Sequence, residues 1–298
     1  MEELSLVKNQ IKEYIQECGD QKSCDLLEML AEGKMLRSKL ILKIAGVNDN
    51  SIKLCSVVEM IHAASLLHDD VIDESDTRRG KPSINALFDN KTAIMFGDIL
   101  YSKAFTELSQ MDKKIAHTVS SAVTLLSIGE MLDVDLTNNF NTSYDKYFDM
   151  IYKKTASLIE ASAKAAALLC GKDEIAFALY GKNLGLAFQM IDDILDITQD
   201  SATLGKPAML DFVEGKVTIP YLLLHERIED KEKLESLYKK PLNEQESSWI
   251  KEEMIKNNVL IDSISQAQKL GLEAVEAIKM DENEDLKNIM NQMINREF

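Results

Sequence analysis

The stretch "LLHDDVIDESDTRRGKPS", Leu66 to Ser83, sets a run of acids beside two arginines. Asp69, Asp70 and Asp73 fall at i, i+1 and i+4, and Arg78 and Arg79 follow. The acidic device returns in "IDDILD", where Asp192, Asp193 and Asp196 repeat the spacing. Apolar helical pattern precedes each copy, "VVEMIHAASLL" and "NLGLAFQMI". On a helix, residues i and i+4 stack on one face with i+1 beside them. Three like charges this close repel, so the arrangement costs stability unless a cation neutralises it. One such cluster could equally decorate a solvated helix end; two of the same spacing, each amid apolar residues, point to metal. Magnesium fits best, because it is a hard cation that takes a carboxylate or two plus substrate phosphates. Sulfur and imidazole are missing apart from His68, which argues against zinc. Two facing carboxylate walls would hold several magnesium ions around a polyanion such as a diphosphate.

A diphosphate calls for direct cationic contacts. Arg78 and Arg79 supply them, since the arginine fork suits phosphate oxygens. Lys34 and Arg37 in "EGKMLRSKL", Lys154 beside Thr155 in "KKTASL", and Lys206 in "LGKP" add more. Each alone reads as surface charge; the ensemble carries the argument.

The elements that must position these groups are helices. Four prolines and 12 glycines in 298 residues, amid many helix formers, predict an almost entirely helical chain. Spacing at 3 and 4 recurs throughout, as in "LVKNQIKEYIQ", and no alternation is long enough for a strand. Breaks are expected near Gly33, Asn48–Ser51, Gly80–Ser83, Asn138–Ser143, Gly171–Asp173, Leu204–Phe212 and Pro241. None is long enough for an interdomain linker, so residues 1–298 read as a single domain. The polar stretch 226–258 reads as solvated surface helices.

Composition excludes some functions. The net charge of −16, from 34 basic and 50 acidic residues, argues against nucleic-acid binding and lends no support to an anionic membrane. Cysteines at 18, 24, 55 and 170 have no metal spacing and read as reduced thiols of a cytoplasmic protein. "MEELSLVKNQIKEYIQ" is charged from its second residue, so no signal peptide is expected. No uninterrupted apolar run reaches membrane-spanning length; Glu160 and Lys164 break "SLIEASAKAAALL".

In order along the chain stand "GKMLR", "LLHDDVIDESDTRRGKPS", "GDIL", "KTASLIE", "FQMIDDILDI", "LGKP" and "DFVEGKVTIP". This set resembles the motifs of the trans-type polyprenyl diphosphate synthases, long-chain members included. A lone DDxxD is weak, since terpene cyclases share it, but the ordered set is specific. The resemblance implies an all-α helical bundle of the isoprenoid synthase type with a central apolar cavity. It implies that Lys34, Arg37, His62 and Arg79 hold the diphosphate of isopentenyl diphosphate. Asp69, Asp70, Asp73, Asp192, Asp193 and Asp196 would hold an allylic prenyl diphosphate through magnesium ions. Arg78, Lys154, Gln189 and Lys206 would support it, with Thr155 near the reacting carbons. Two departures stand out: Met35 and Ser38 occupy positions where the family often has arginine and proline. The basic tail is thin, with Arg296 the one nearby cation in "NREF".

The implied reaction ionises the allylic C–O bond, adds the double bond of isopentenyl diphosphate and loses a proton. The tail would grow past Ala64 and Ser65, one turn or so before Asp69, where short-chain relatives often carry aromatic rings. Small side chains there predict a long product, around octaprenyl. The family also implies a homodimer, and it leaves room for peripheral membrane contact during product release. A terpene cyclase would lack the GKxxR pocket and the second DDxxD. An HD phosphohydrolase, suggested by "HD" at 68–69, needs more histidines than the four at 62, 68, 117 and 225. A short-chain synthase and a non-catalytic subunit of a heteromeric enzyme complete the alternatives.

Overall fold

A computed structural model describes residues 2–198, 209–281 and 283–294. The chain divides into two compact units, Met1–Val123 with Ala161–Ala178, and Thr124–Glu160 with Leu179–Phe298.

The first unit opens with α1 (Glu2–Gln16), α2 (Gln21–Met29), α3 (Leu36–Ala45) and α4 (Asp49–Ile72). A hairpin of β1 (Thr77–Arg78) and β2 (Lys81–Pro82) follows, then α5 (Ile84–Leu87), α6 (Asn90–Leu108) and the first half of α7 (Lys113–Leu136). The start of α4 is set by a capping box. Asn48 Oδ1 accepts from the Ser51 N–H and Ser51 Oγ from the Asn48 N–H, both at 3.0 Å. Its apolar stripe of Leu54, Val57, Val58, Ile61 and Ala64 is wholly buried, and α4 packs along α6, α3 and α1. Each buried branched side chain contributes about 1.5–3 kcal/mol. Gly97 of α6 lets the helices close: a Cβ there would lie 2.4 Å from Nε2 of His68. His68 donates to the Ile94 carbonyl at 3.2 Å, so its ring serves packing.

The hairpin is a finding that the absence of long alternation in the sequence does not reveal. Arg78 pairs with Lys81, which leaves Arg79 and Gly80 as a two-residue loop. Both have positive φ, 53° and 73°, the type I′ geometry that suits strand twist. Glycine fits this freely; Arg79 adopts it at a steric cost of about 1–2 kcal/mol.

The second unit comprises the rest of α7, α8 (Tyr144–Ile151), a π-helical turn (Tyr152–Ala156), the start of α9 (Ser157–Cys170) and most of α10 (Glu174–Thr198). It continues with α11 (Leu210–Glu214), α12 (Ile219–Arg227), α13 (Lys231–Leu237), α14 (Glu244–Lys256), α15 (Val259–Ala277) and α16 (Glu284–Ile294). Tyr147, Ile151, Ile194, Phe212 and Tyr221 belong to its core. The polar stretch forms surface helices α13 and α14, anchored by buried Leu234, Leu237, Ile250 and Met254.

By length and a mean hydropathy of 1.3, α7 is long and apolar enough to cross a membrane, while the expectation that no uninterrupted apolar run reaches that length stands. Its serines, threonines and Gly129 interrupt the apolar run while the average stays apolar. Glu130 and Asp133 on it bind Lys154.

Candidate active site

Asp69 and Asp70 occupy the last turn of α4, and Asp73 caps it, its N–H donating to the Asp69 carbonyl at 2.8 Å. A helix C-terminus carries partial negative charge, so the backbone gives these acids no relief. The hairpin supplies it. Arg78 Nε donates to Asp70 Oδ1 at 2.6 Å and Nη2 to Asp69 Oδ2 at 2.8 Å. Burial pushes the Asp70 carboxyl up, and Arg78 opposes that shift. Asn85 pins the link, donating to the carbonyls of Asp70 and Ser75.

Arg79 turns the other way. Its Nη1 donates to the Ala31 carbonyl at 3.2 Å, and a Cβ on Gly33 would stand 2.6 Å from that atom. Burial draws the Arg79 guanidinium down, and the charge of Arg78 adds to this. Arg37 is drawn down to about 10 by burial, with Glu59 opposing and Arg79 assisting. Its Nε is buried without a hydrogen-bond partner among the described residues. His62 is held well below its ordinary value by burial, then by Arg37, Arg79 and Arg78, so the ring is neutral at pH 7. Desolvated cations that depress one another are stabilised by an incoming anion. Glu59 accepts from the backbone and the hydroxyl of Ser38 at 3.2 and 2.7 Å, so the serine standing where relatives often have proline anchors an acid beside this pocket. Lys34 is exposed. Ala64 is fully buried, and half-buried Ser65 donates its hydroxyl to the His62 carbonyl at 2.8 Å.

In the second unit, Lys154 and Thr155 lie on the π-helical turn. Such turns concentrate at functional sites. Two glycines flank it. A Cβ on Gly129 would lie 2.2 Å from the Lys154 backbone nitrogen, and one on Gly185 2.5 Å from Cα of Ala156. Lys154 Nζ reaches Asp133 at 2.6 Å and Glu130 at 3.0 Å. Thr155 Oγ1 donates to Gln189 Oε1 at 2.8 Å, Gln189 Nε2 to Asp193 Oδ1 at 2.9 Å, and Tyr147 Oη to Asp193 Oδ2 at 2.5 Å. Burial lifts the Asp193 carboxyl to about 8; the charge of Asp211 adds to this, and Tyr147 and Gln189 oppose it. Buried Asp196 accepts from the Asp211 N–H at 3.3 Å. Asp192 is half-buried. Lys206 and Arg296 lie outside the described residues.

The structure thus brings Arg78 onto Asp69 and Asp70, groups Arg37, His62 and Arg79 electrostatically, and joins Thr155, Gln189 and Asp193. Sequence reading misses Glu59, Tyr147, Glu130, Asp133 and Asp211. Glu59 and His62, three apart on α4, share a face, which is the signal that could have found Glu59. The donor set suits magnesium, being carboxylate throughout. No three acidic, histidine or cysteine groups among the described residues converge to enclose an ion.

The fold is all-α, of the isoprenoid synthase type. Residues 23–255 match the polyprenyl synthetase family, and the chain belongs to it. The octaprenyl pyrophosphate synthase of Helicobacter pylori is 43% identical, with a TM-score of 0.94 and 99% of each chain covered. A polyprenyl synthase of Caulobacter crescentus CB15, complexed with calcium and isoprenyl diphosphate, is 31% identical with a TM-score of 0.89, covering 99% of this chain and 94% of that one. The octaprenyl diphosphate synthase of Escherichia coli (strain K12) is 36% identical over 219 residues, 72% of this chain. In that alignment the chain spans 65% of the length of the relative.

Proposed function

We propose that the protein condenses isopentenyl diphosphate with an allylic prenyl diphosphate, head to tail. The product is a long-chain all-trans polyprenyl diphosphate, around octaprenyl. The observation that carries this reading is the desolvated cation group of Arg37 and Arg79 with neutral His62, on the same unit as the Asp69–Asp70 pair. The calcium and isoprenyl diphosphate named with the Caulobacter relative support a divalent ion beside a prenyl diphosphate.

Arg37 and Arg79 hold the diphosphate of isopentenyl diphosphate, with Lys34 at the rim and His62 offering a neutral imidazole. Asp69, Asp70, Asp73, Asp192, Asp193 and Asp196 would hold magnesium for the allylic diphosphate. The ion would supply neutralising charge for a departing diphosphate. Arg78, Lys154, Gln189 and Lys206 orient that group, and Thr155 faces the reacting carbons. Apolar walls exclude the water that would capture the allylic cation. Residues 1–298 act as one polyprenyl synthase domain, cytoplasmic and homodimeric, touching a membrane peripherally when the product leaves.

Purified protein given farnesyl diphosphate, isopentenyl diphosphate and magnesium should release diphosphate and yield octaprenyl-length product by mass. Asp69→Ala or Asp192→Ala should reduce turnover by orders of magnitude with the fold intact. Near-normal turnover in either variant at saturating magnesium would sink the assignment.

A further inference from the structure

Asp193 is the best-held acid of the second cluster. It is 3% exposed, and the Tyr147 phenol that reaches it is 1% exposed. Each carboxylate oxygen accepts one hydrogen bond, Oδ2 from Tyr147 at 2.5 Å and Oδ1 from Gln189 at 2.9 Å. A carboxylate has about four lone-pair sites, so these two bonds fix its plane and leave two sites for an ion or its waters. Gln189 passes the restraint on, because its own carbonyl accepts from Thr155. The phenol comes from α8, 46 positions before Asp193, so no local spacing imposes the bond.

We propose that Tyr147 is a positioning residue for the metal: its hydroxyl sets the Asp193 carboxylate, and through Gln189 ties that setting to Thr155 on the π-helical turn. The inference rests on the reading of Asp193 as a magnesium ligand. Partners that orient ligating groups typically matter by about 10–100-fold in metal affinity. The bland alternative is that the tyrosine only fills the core, its ring packed edge-on against Phe148 at 5.3 Å. Tyr147→Phe separates the two, since it keeps the ring and removes the donor.

The measurement is calorimetric binding of inorganic pyrophosphate at a series of magnesium concentrations, with melting curves alongside. For Tyr147→Phe we expect the half-saturating magnesium concentration to rise about tenfold or more, with a cooperative melt retained at a lower temperature because one buried carboxylate oxygen loses its donor. Binding of isopentenyl diphosphate without metal, which uses Arg37 and Arg79, should stay as in the wild type. In an Asp193→Ala background the added Tyr147→Phe change should have no further effect on magnesium dependence. Wild-type magnesium dependence in Tyr147→Phe overturns the proposal, and so does a full additional loss on top of Asp193→Ala. A magnesium dependence of pyrophosphate binding that weakens in Tyr147→Phe, in a protein whose wild type transfers no prenyl group, would leave this inference standing and overturn the proposed reaction.

Discussion

Arg78 holds Asp70 through its Nε at 2.6 Å while the same guanidinium reaches Asp69 at 2.8 Å. Charge-assisted bonds of this length are among the strong ones. On the proposed reading a cation already stands where magnesium would bind, so metal and arginine would compete for these carboxylates. Arg78→Gln leaves the Asp70 carboxylate, 5% exposed, short of a partner. That should cost about 1–3 kcal/mol in metal-free protein. Saturating magnesium should restore more stability to Arg78→Gln than it adds to the wild type. Thermal melts with and without magnesium check this; an equal magnesium increment in both proteins refutes it.

Gly129→Ala should be among the most damaging small substitutions. The new methyl would meet backbone at 2.2 Å, and backbone does not swing aside. Overpacking of this kind costs about 1–3 kcal/mol or more. Lys154 and Thr155 ride on the displaced turn, so turnover should fall too. Chemical denaturation together with a turnover assay tests both, and wild-type values in either would show the turn is looser than it looks.

His62 gives a pH signature. Its imidazole is depressed in the folded protein and titrates near 6.5 when unfolded. Below about 6.5 the unfolded chain therefore takes up a proton that the folded chain refuses, and stability falls as pH drops toward the folded value. His62→Gln should shrink the loss of urea midpoint between about pH 7 and about pH 5. A loss as large as in the wild type would mean that His62 is not the group responsible.

Product length should answer to Ala64 and Ser65. Ser65 is half-buried, so Ser65→Phe should fold well and shorten the product to farnesyl or geranylgeranyl length. Ala64 is wholly buried, so Ala64→Phe should shorten the product at a further cost of about 1–3 kcal/mol. Mass analysis of products decides; unchanged lengths in both variants would put the growing tail against another helix.

The aspartate clusters and their helices are legible in the sequence because charge, spacing and apolar period are all local. The Asn48–Ser51 break is legible for the same reason, as a cap is written in adjacent residues. The hairpin is half-legible: "RRGKP" marks a turn, but nothing in it says that Arg79 adopts positive φ. Tyr147 with Asp193 is invisible, since the partners lie 46 positions apart. Ser38 with Glu59, 21 apart, is hidden likewise. The π-helical turn has no spacing of its own in "YKKTA", and its close contact with Gly129 and Gly185 is a matter of tertiary packing.

The end of α4 bears acids and no base. A chain shaped only for heat resistance would put lysine there, since cations suit a helix C-terminus by about 0.3–1 kcal/mol each. Anyone selecting variants of this protein by survival on heating would be drawn to Asp69, Asp70 and Asp73. Such a screen would recover hardy folds that have lost their reason to exist, so it has to be run with a product assay beside it.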